Sequence, residues 1–426
     1  MTPDSPAAVP PPHDPAPDEP APDEVPAVVL PRLELRDPLP AVVETPEALT
    51  RACAQIAAGT GPVALDAERA SGYRYSQRAY LLQVRREGSG IHLIDPIAFD
   101  DHSELSAAFG DAEWILHAAT QDLPCLAEIG LRPTAVFDTE LAGRLLNLPR
   151  VGLASLVEHY LGLSLAKEFS AADWSTRPLP EPWLVYAALD VEVLIELRNL
   201  IDDELTATGK REWAAEEFEA LLSFAGPPER IDPWRRTSGM HKARGRRSLA
   251  LVRELWLTRD VIAEARDTTP GRILPDAALM EIAMTAPTTV GDLKQMRAMR
   301  NRGPRRFLSE WFDAVERGLA LPDTELPTTG LRSDGPPPPR AWSEKNPEAA
   351  KRLARCRSVI VALSEAHDLP AENLITPQLV RNLAWEPPTT DGTVTEGSVV
   401  DALEEQGARR WQVGLVASQL ADALSS

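Results

Sequence analysis

The 426-residue sequence predicts an α/β domain followed by two all-helical blocks. Three observations lead there. Short strand-like runs alternate with helical ones from Gly61 to Val136, the pattern of a sheet packed with helices. From Asp138 onward every periodic segment has helical spacing. Proline-rich stretches then cut the chain into pieces of ordinary domain size, about 100 to 200 residues.

In chain order, Met1 to Leu30 hold ten prolines and six acids with no Lys or Arg. Such a composition cannot bury enough apolar surface to offset its ordering entropy, so a disordered tail is expected, extending over residues 1–40. Strands are expected at Pro62–Ala67, Arg78–Val84, Ile91–Ile94, Glu113–His117 and Thr134–Phe137. Helices follow at Thr139–Asn147, Leu153–Leu161, Pro182–Leu205 and Arg211–Phe224, closing an α/β domain over 41–225. Pro227-Pro228 and Asp232-Pro233 mark the boundary. A helical block over 231–321 follows, with Leu251, Leu255 and Ile262 spaced along one helix and Leu279, Ile282 and Ala283 along the next. Residues 322–341 are a linker by composition, and residues 342–426 form the last helical block.

With 43% hydrophobic and 25% charged residues, the chain has material for several cores, which excludes wholesale disorder. Cys53, Cys125 and Cys356 lie far apart without a Cys-x-x-Cys pair, so neither a disulfide framework nor a zinc knuckle is indicated, and a reducing cytoplasm fits. No apolar run reaches the roughly 18 residues of a membrane span, and the N-terminus lacks the basic-then-apolar order of a secretory signal. No membrane partner is expected, and a monomer is the expected state. The net charge of −20 alone argues against a nucleic-acid binder. The average misleads, because residues 231–318 hold 17 Lys or Arg against 11 Asp or Glu, whereas residues 342–426 hold 8 against 12. The last block is therefore expected to brace the others.

Three short motifs carry the chemistry. In Val63-Ala64-Leu65-Asp66-Ala67-Glu68, strand alternation sends Val63, Leu65 and Ala67 to one face and puts Asp66 and Glu68 together on the other. Two carboxylates that close are unfavourable unless something cationic sits between them, which asks for a divalent metal; a solvated strand edge is the alternative. Asp122 falls where a strand ends and a helix begins, the rim of the sheet where α/β proteins place sites, though a first-turn acid favoured by the helix dipole reads the same way. Tyr186 and Asp190 stand at i and i+4 of a long helix and share a face, and an Asp amid apolar helix has poor propensity.

Asp-x-Glu on a first strand, Asp after a later strand and Tyr-x3-Asp on a helix resemble the DEDDy 3′-5′ exonucleases, and ribonuclease D more closely. The matching stretches are ALDAERASGYRYSQRAYLLQV, LHAATQDLPCL, FDTELAGRLL and DWSTRPLPEPWLVYAALDVEVLIEL, within about Leu49 to Phe224. The stretch from Leu249 to Leu319 looks like an HRDC domain, and the final block, with GARRWQVGLVASQLADAL, is similar to the second HRDC-like domain of that family. The resemblance implies a ribonuclease H-like (DnaQ-like) exonuclease domain with a mixed sheet and two small all-helical HRDC-type domains. It implies that Asp66, Glu68, Asp122 and Asp190 bind metal and that Tyr186 positions the attacking water. Ala67 stands where the family often has Thr, with its side chain expected on the opposite face. His117, Gln83 and Trp174 lie in matching stretches as substrate or packing residues.

Hydrolysing a phosphodiester means attacking an anion with water and relieving charge on the departing 3′ oxygen. Two Mg²⁺ or Mn²⁺ ions supply both, and holding hard dications calls for several carboxylate oxygens. The expected substrate is RNA with a 3′ single-stranded end, cut to nucleoside 5′-monophosphates, in tRNA 3′ maturation or stable-RNA turnover. The alternatives are a DNA-directed DEDDy exonuclease and a catalytically silent nucleic-acid-binding protein. A cationic surface to hold the polyanion is expected at Arg235, Arg236, Lys242, Arg244, Arg246 and Arg247, with Arg300, Arg302, Arg305 and Arg306 nearby in the same block.

Overall fold

The computed structural model describes residues 29–166, 169–330 and 335–425. Six strands form one mixed sheet: β1 (Val42–Val43), β2 (Thr60–Arg69), β3 (Ala79–Glu87), β4 (Gly90–Ile94), β5 (Trp114–Leu116) and β6 (Val136–Asp138), in the order β1-β4-β3-β2-β5-β6. β4, β3 and β2 run antiparallel to their neighbours in turn, while β1–β4, β2–β5 and β5–β6 are parallel pairs. β2 is therefore central. Val63, Leu65 and Ala67 enter the main core from one face of it, and Asp66 and Glu68 occupy the other.

Eight helices complete this domain: α1 (Pro46–Ala58), α2 (Ser103–Phe109), α3 (Leu123–Glu128), α4 (Thr139–Leu145), α5 (Leu153–Leu161), α6 (Glu181–Glu192), α7 (Leu194–Ala207) and α8 (Arg211–Leu221). Neither α1 nor α2 was expected. The signals for α1 are nevertheless local: Thr45 caps it by accepting from the Ala48 amide, Pro46 begins it, and Leu49, Ala52, Cys53 and Ile56 are buried at helical spacing. The single helix expected over Pro182–Leu205 is two, broken at Val193, whose φ of −119° lets the chain turn between α6 and α7.

The 1–40 tail needs correction for its last part, whereas residues 1–28 lie outside the described residues. Residues 29–40 carry apolar Leu33 and Leu35. Leu33 is 5% exposed, its amide donates to the Ser164 carbonyl, and Arg36 pairs with Glu192 and Glu196. The 322–341 linker is likewise no free spacer over its first half, although residues 331–334 lie outside the described residues. Arg246 donates to the carbonyls of Asp323 and Leu326 at 2.8 and 2.7 Å, and Arg247 to that of Leu321 at 2.6 Å.

The basic block builds its own core around α9 (Arg246–Ala265), where Leu251, Val252 and Leu255 meet Trp311, Ala314 and Val315 of the helix Leu308–Ala320. It docks on the loop that follows β2. Tyr75 donates to Asp260 at 3.1 Å, the Ser76 amide to Asp267 at 2.9 Å, the Thr269 amide to the Tyr73 carbonyl at 3.0 Å, and Arg272 lies over the Tyr73 ring. The last block shares a continuous core with the α/β domain. Trp411 stacks on Trp213 of α8 with ring centroids 5.1 Å apart and donates to Glu217, while buried Lys210 donates to the carbonyls of Leu145 and Asp368. No helix among the described residues is long and apolar enough to cross a membrane.

A shared core requires shared melting. Trp411→Ala deletes a ring that is 7% exposed and leaves Glu217 short of a donor, at a cost of about 3 to 5 kcal/mol. In differential scanning calorimetry the α/β domain and the last block should then unfold together at lower temperature. A separate early transition, with the α/β domain melting as before, would show that the last block braces nothing.

Candidate active site

The site forms where α6 crosses the polar face of β2. Period-2 alternation sets Asp66 and Glu68 on that face, and α6 lays Tyr186 and Asp190 over them one helical turn apart. Asp66, Glu68 and Asp190 each bring a carboxylate oxygen within 4.8 Å of the others. Asp122 joins them from the β5–α3 turn and lines the same cleft of about 640 Å³. The structure thus gathers all five residues singled out in the sequence.

Asp122 is held by a residue that the sequence motifs do not single out. Asp138, at the end of β6, accepts from the amides of Ala118 and Ala119 at 3.1 and 2.8 Å and from those of Glu140 and Leu141 at 2.9 and 3.2 Å. One buried carboxylate therefore caps α4 and clamps the turn that carries Asp122. Ala118 takes a left-handed φ of 60° there, a conformation that a non-glycine residue keeps only when its surroundings impose it. A local signal exists in FDTEL, since an Asp before Thr-Glu is an N-cap pattern, but its second pair of bonds comes from distant chain.

α6 is seated by the segment before it. Arg177 pairs with Asp95 at 2.6 Å and donates to the carbonyls of Tyr80 and Trp174, tying DWSTRPLP to the ends of β3 and β4. Trp174 is fully buried between sheet and α6, a packing residue. His117 lines the cleft with Nδ1 2.9 Å from Thr139 Oγ1. Gln83 is fully buried directly opposite Asp66 in the β2–β3 register.

Burial sets the electrostatics. Glu68, Asp122 and Asp190 are buried, with Asp66 partly open to the cleft. Desolvation pushes the Asp66 carboxyl up to about 6, and desolvation with the charges of Asp66, Asp190 and Asp122 pushes Glu68 up to about 10. Asp122 and Asp190 are raised well above the carboxylate range, first by burial and then by Asp66. Burial and the neighbouring carboxylates also raise Tyr186, so its hydroxyl stays protonated and donates to Asp190.

Four carboxyl groups on one cleft, none in an ion pair among the described residues, fit a divalent cation set. Gln83, opposite Asp66 in the register, keeps its amide nitrogen and oxygen buried without a hydrogen-bond partner among the described residues.

Without metal the acids burden the fold in a pH-dependent way. A carboxyl whose folded pKa is raised binds more protons folded than unfolded, so stability is lost as pH rises from the unfolded value near 4.5 towards about 10 for Glu68. Glu68→Gln should raise the melting temperature of chelator-treated protein at pH 8 and change it much less at pH 5. Equal loss of stability at both pH values would mean that Glu68 is instead a needed structural acceptor.

Comparisons with known proteins point to one enzyme family. Residues 40–206 match a family model described as 3′-5′ exonuclease, residues 248–315 an HRDC domain, and residues 335–424 a 3′ to 5′ exonuclease C-terminal domain. The chain is 32% identical to a ribonuclease D of Jannaschia over 302 residues, 68% of this chain and 77% of that protein. Against ribonuclease D of Escherichia coli it is 29% identical, over 80% of this chain and 89% of that one. Among solved structures, a protein from Bifidobacterium adolescentis superposes with a TM-score of 0.86 at 40% identity, covering 93% of this chain and all of that one. The E. coli RNase D structure, described as an exoribonuclease involved in structured RNA processing, gives 0.64 at 26% identity, covering 90% and 98%. By sequence and by fold, the chain belongs to the ribonuclease D family of 3′-5′ exoribonucleases.

Proposed function

We propose that this enzyme removes nucleotides one at a time from the 3′ single-stranded end of RNA as nucleoside 5′-monophosphates, in tRNA 3′ maturation or stable-RNA turnover. Asp66, Glu68, Asp122 and Asp190 hold two divalent ions, Mg²⁺ or Mn²⁺, and Tyr186 orients the attacking water. The observation that carries the reading is a cleft lined by four carboxylates, three of them with oxygens within 4.8 Å of one another and none in an ion pair among the described residues, with the Tyr186 phenol in the same lining. Bound divalent ions would supply an activated water and charge relief on the departing 3′ oxygen. A tyrosine whose pKa is raised cannot serve as a strong base at neutral pH. Its hydroxyl instead holds water in line with the scissile bond, an orienting role. A reducing cytoplasm suits the three free, buried thiols.

The carboxylates and the tyrosine should separate on mutation. Asp66→Ala should abolish cleavage of a 3′ single-stranded RNA in Mn²⁺, lose Mn²⁺ affinity and leave the metal-free protein at least as stable as wild type. Tyr186→Phe should keep Mn²⁺ affinity and melting temperature while single-turnover cleavage falls about 10²-fold or more. Near-normal turnover by Asp66→Ala would sink the metal site, and an unchanged rate in Tyr186→Phe would reduce that residue to packing. A matched DNA oligonucleotide in the same assay reports on the DNA-directed alternative.

The six-residue basic cluster resolves into two kinds of side chain. Arg235 pairs with Asp232, lies over the Trp234 ring and donates to the Thr328 carbonyl. With Arg246 and Arg247 it holds the 322–328 segment, so these three are structural. Arg236, Lys242 and Arg244 are exposed, as are Arg300, Arg302, Arg305 and Arg306. The proposed RNA-holding surface is therefore Arg236, Lys242 and Arg244. Replacing these three with Gln should flatten the slope of log K against log salt by about 0.7 for each phosphate that they neutralise in the wild type. An unchanged slope would assign them to solvent.

A further inference from the structure

Arg69 sits at the far end of β2, next to Glu68. Strict alternation would send it to the core side with Leu65 and Ala67. The β2–β3 register runs unbroken from Val63↔Arg86 to Glu68↔Leu81, then jumps to Arg69↔Ala79, leaving Tyr80 as an extra residue. Such a bulge, with its extra residue on β3, bends the pair where β2 ends. Arg69 lines the same cleft as Asp66, Glu68, Asp122, Tyr186 and Asp190, as Leu65 and Ala67 of its own strand face also do, and it is half-buried and close enough to counter the charges of three of those acids.

Two features make this cation unusual. Among the described residues lining the cleft, it is the single Lys or Arg, and it makes no hydrogen bond or ion pair with any described residue. The other arginines nearby are committed: Arg74 to Ser175, Arg177 to Asp95, and Arg272 to the Gly72 carbonyl and the Tyr73 ring. A guanidinium beside a cation site weakens that site electrostatically, and here no ion pair or hydrogen bond with a described residue fixes its orientation. It becomes favourable when an anion enters. Its planar donors match the non-bridging oxygens of a phosphodiester, and the loop after it is pinned by the basic block at Tyr73, Tyr75 and Ser76.

We propose that Arg69 is a substrate-contacting residue that grips one phosphodiester of the RNA 3′ end seated against the acidic set. The assignment rests on the exonuclease reading above and adds to it the group that receives the substrate's charge.

The test is a cycle between protein and substrate. Binding is measured by fluorescence anisotropy in Ca²⁺, for wild type, Arg69→Gln and Arg69→Lys. The probes are a short 3′ single-stranded RNA and a series in which one linkage near the 3′ end is a neutral methylphosphonate. The 2′-hydroxyls beside the altered linkages are methylated throughout to keep them intact. Arg69→Gln should weaken binding of the all-phosphodiester RNA about 10- to 100-fold, and Arg69→Lys should recover part of the deficit. On the RNA whose gripped linkage is neutral, wild type and Arg69→Gln should bind alike. Mn²⁺ affinity by calorimetry should stay the same or tighten, with the melting temperature unchanged. Wild-type affinity in Arg69→Gln, an equal deficit on every neutralised RNA, or a fall in Mn²⁺ affinity would each overturn the assignment. Failure of wild type to cleave in Mn²⁺ would instead sink the exonuclease reading, and the binding cycle would still decide on Arg69.

Discussion

Four carboxyl groups gathered on one largely buried cleft are the constraint on which this molecule depends. Left to themselves they repel and resist desolvation, so each must be held by structure that gains its stability elsewhere. β2 holds two because it is central, with β3 and β5 hydrogen-bonded on either side and Val63, Leu65 and Ala67 anchored in the core. Asp122 is held by Asp138, which concentrates four backbone amides on a single carboxylate. Asp190 rides on α6, whose entry is tied down by Arg177 on Asp95 and whose buried face is built of Ala187 and Ala188 so that the helix can approach the sheet closely. The site is thus stabilised from three directions by contacts that involve none of the acids.

How much of this was legible follows from which forces are local. The Asp-x-Glu parity and the Tyr-x3-Asp spacing are consequences of strand and helix geometry alone, so both pairs could be read directly. The resemblance of the surrounding stretches then joined them to Asp122. The clamp by Asp138 could not be read, because half of its bonds come from residues 118 and 119 in another turn. Arg69 was invisible for a different reason: strand alternation groups it with apolar Leu65 and Ala67, and that the end of this strand face also borders the cleft is set by tertiary packing. α1 shows the opposite case, with cap, proline and apolar spacing all present in the sequence and passed over. The break at Val193 falls in an uninterrupted helical composition and has no local signal.

Charge counting located a basic block and misjudged how its charges are used. Arginine has five donors, and in this chain many of them go to main-chain carbonyls: Arg246 and Arg247 fasten the start of the linker, Arg177 fastens the approach to α6, and Arg352 donates to the Ala384 carbonyl. A guanidinium used in this way keeps its charge yet loses the freedom to seek a phosphate. The net +6 of residues 231–318 therefore overstates the surface available to a nucleic acid, and only side chains such as Arg236, Lys242 and Arg244 keep both charge and reach.

The two helical blocks divide the remaining work between them. The last block adds its helices to the core of the α/β domain and steadies the side of the sheet where α8 lies. The basic block has a core of its own and touches the α/β domain through the loop of residues 70–78, which leaves β2 directly beyond Glu68 and Arg69, and through the start of β3. Asp267 is the centre of that contact, receiving the Ser76 amide and the Tyr80 hydroxyl, and Tyr80 is the residue displaced in the bulge. The block that carries the exposed cations is therefore fastened to the structural irregularity at the end of β2, beside Arg69. A displacement of the basic block would act first on that bulge, and so on the end of β2 that carries Glu68 and Arg69.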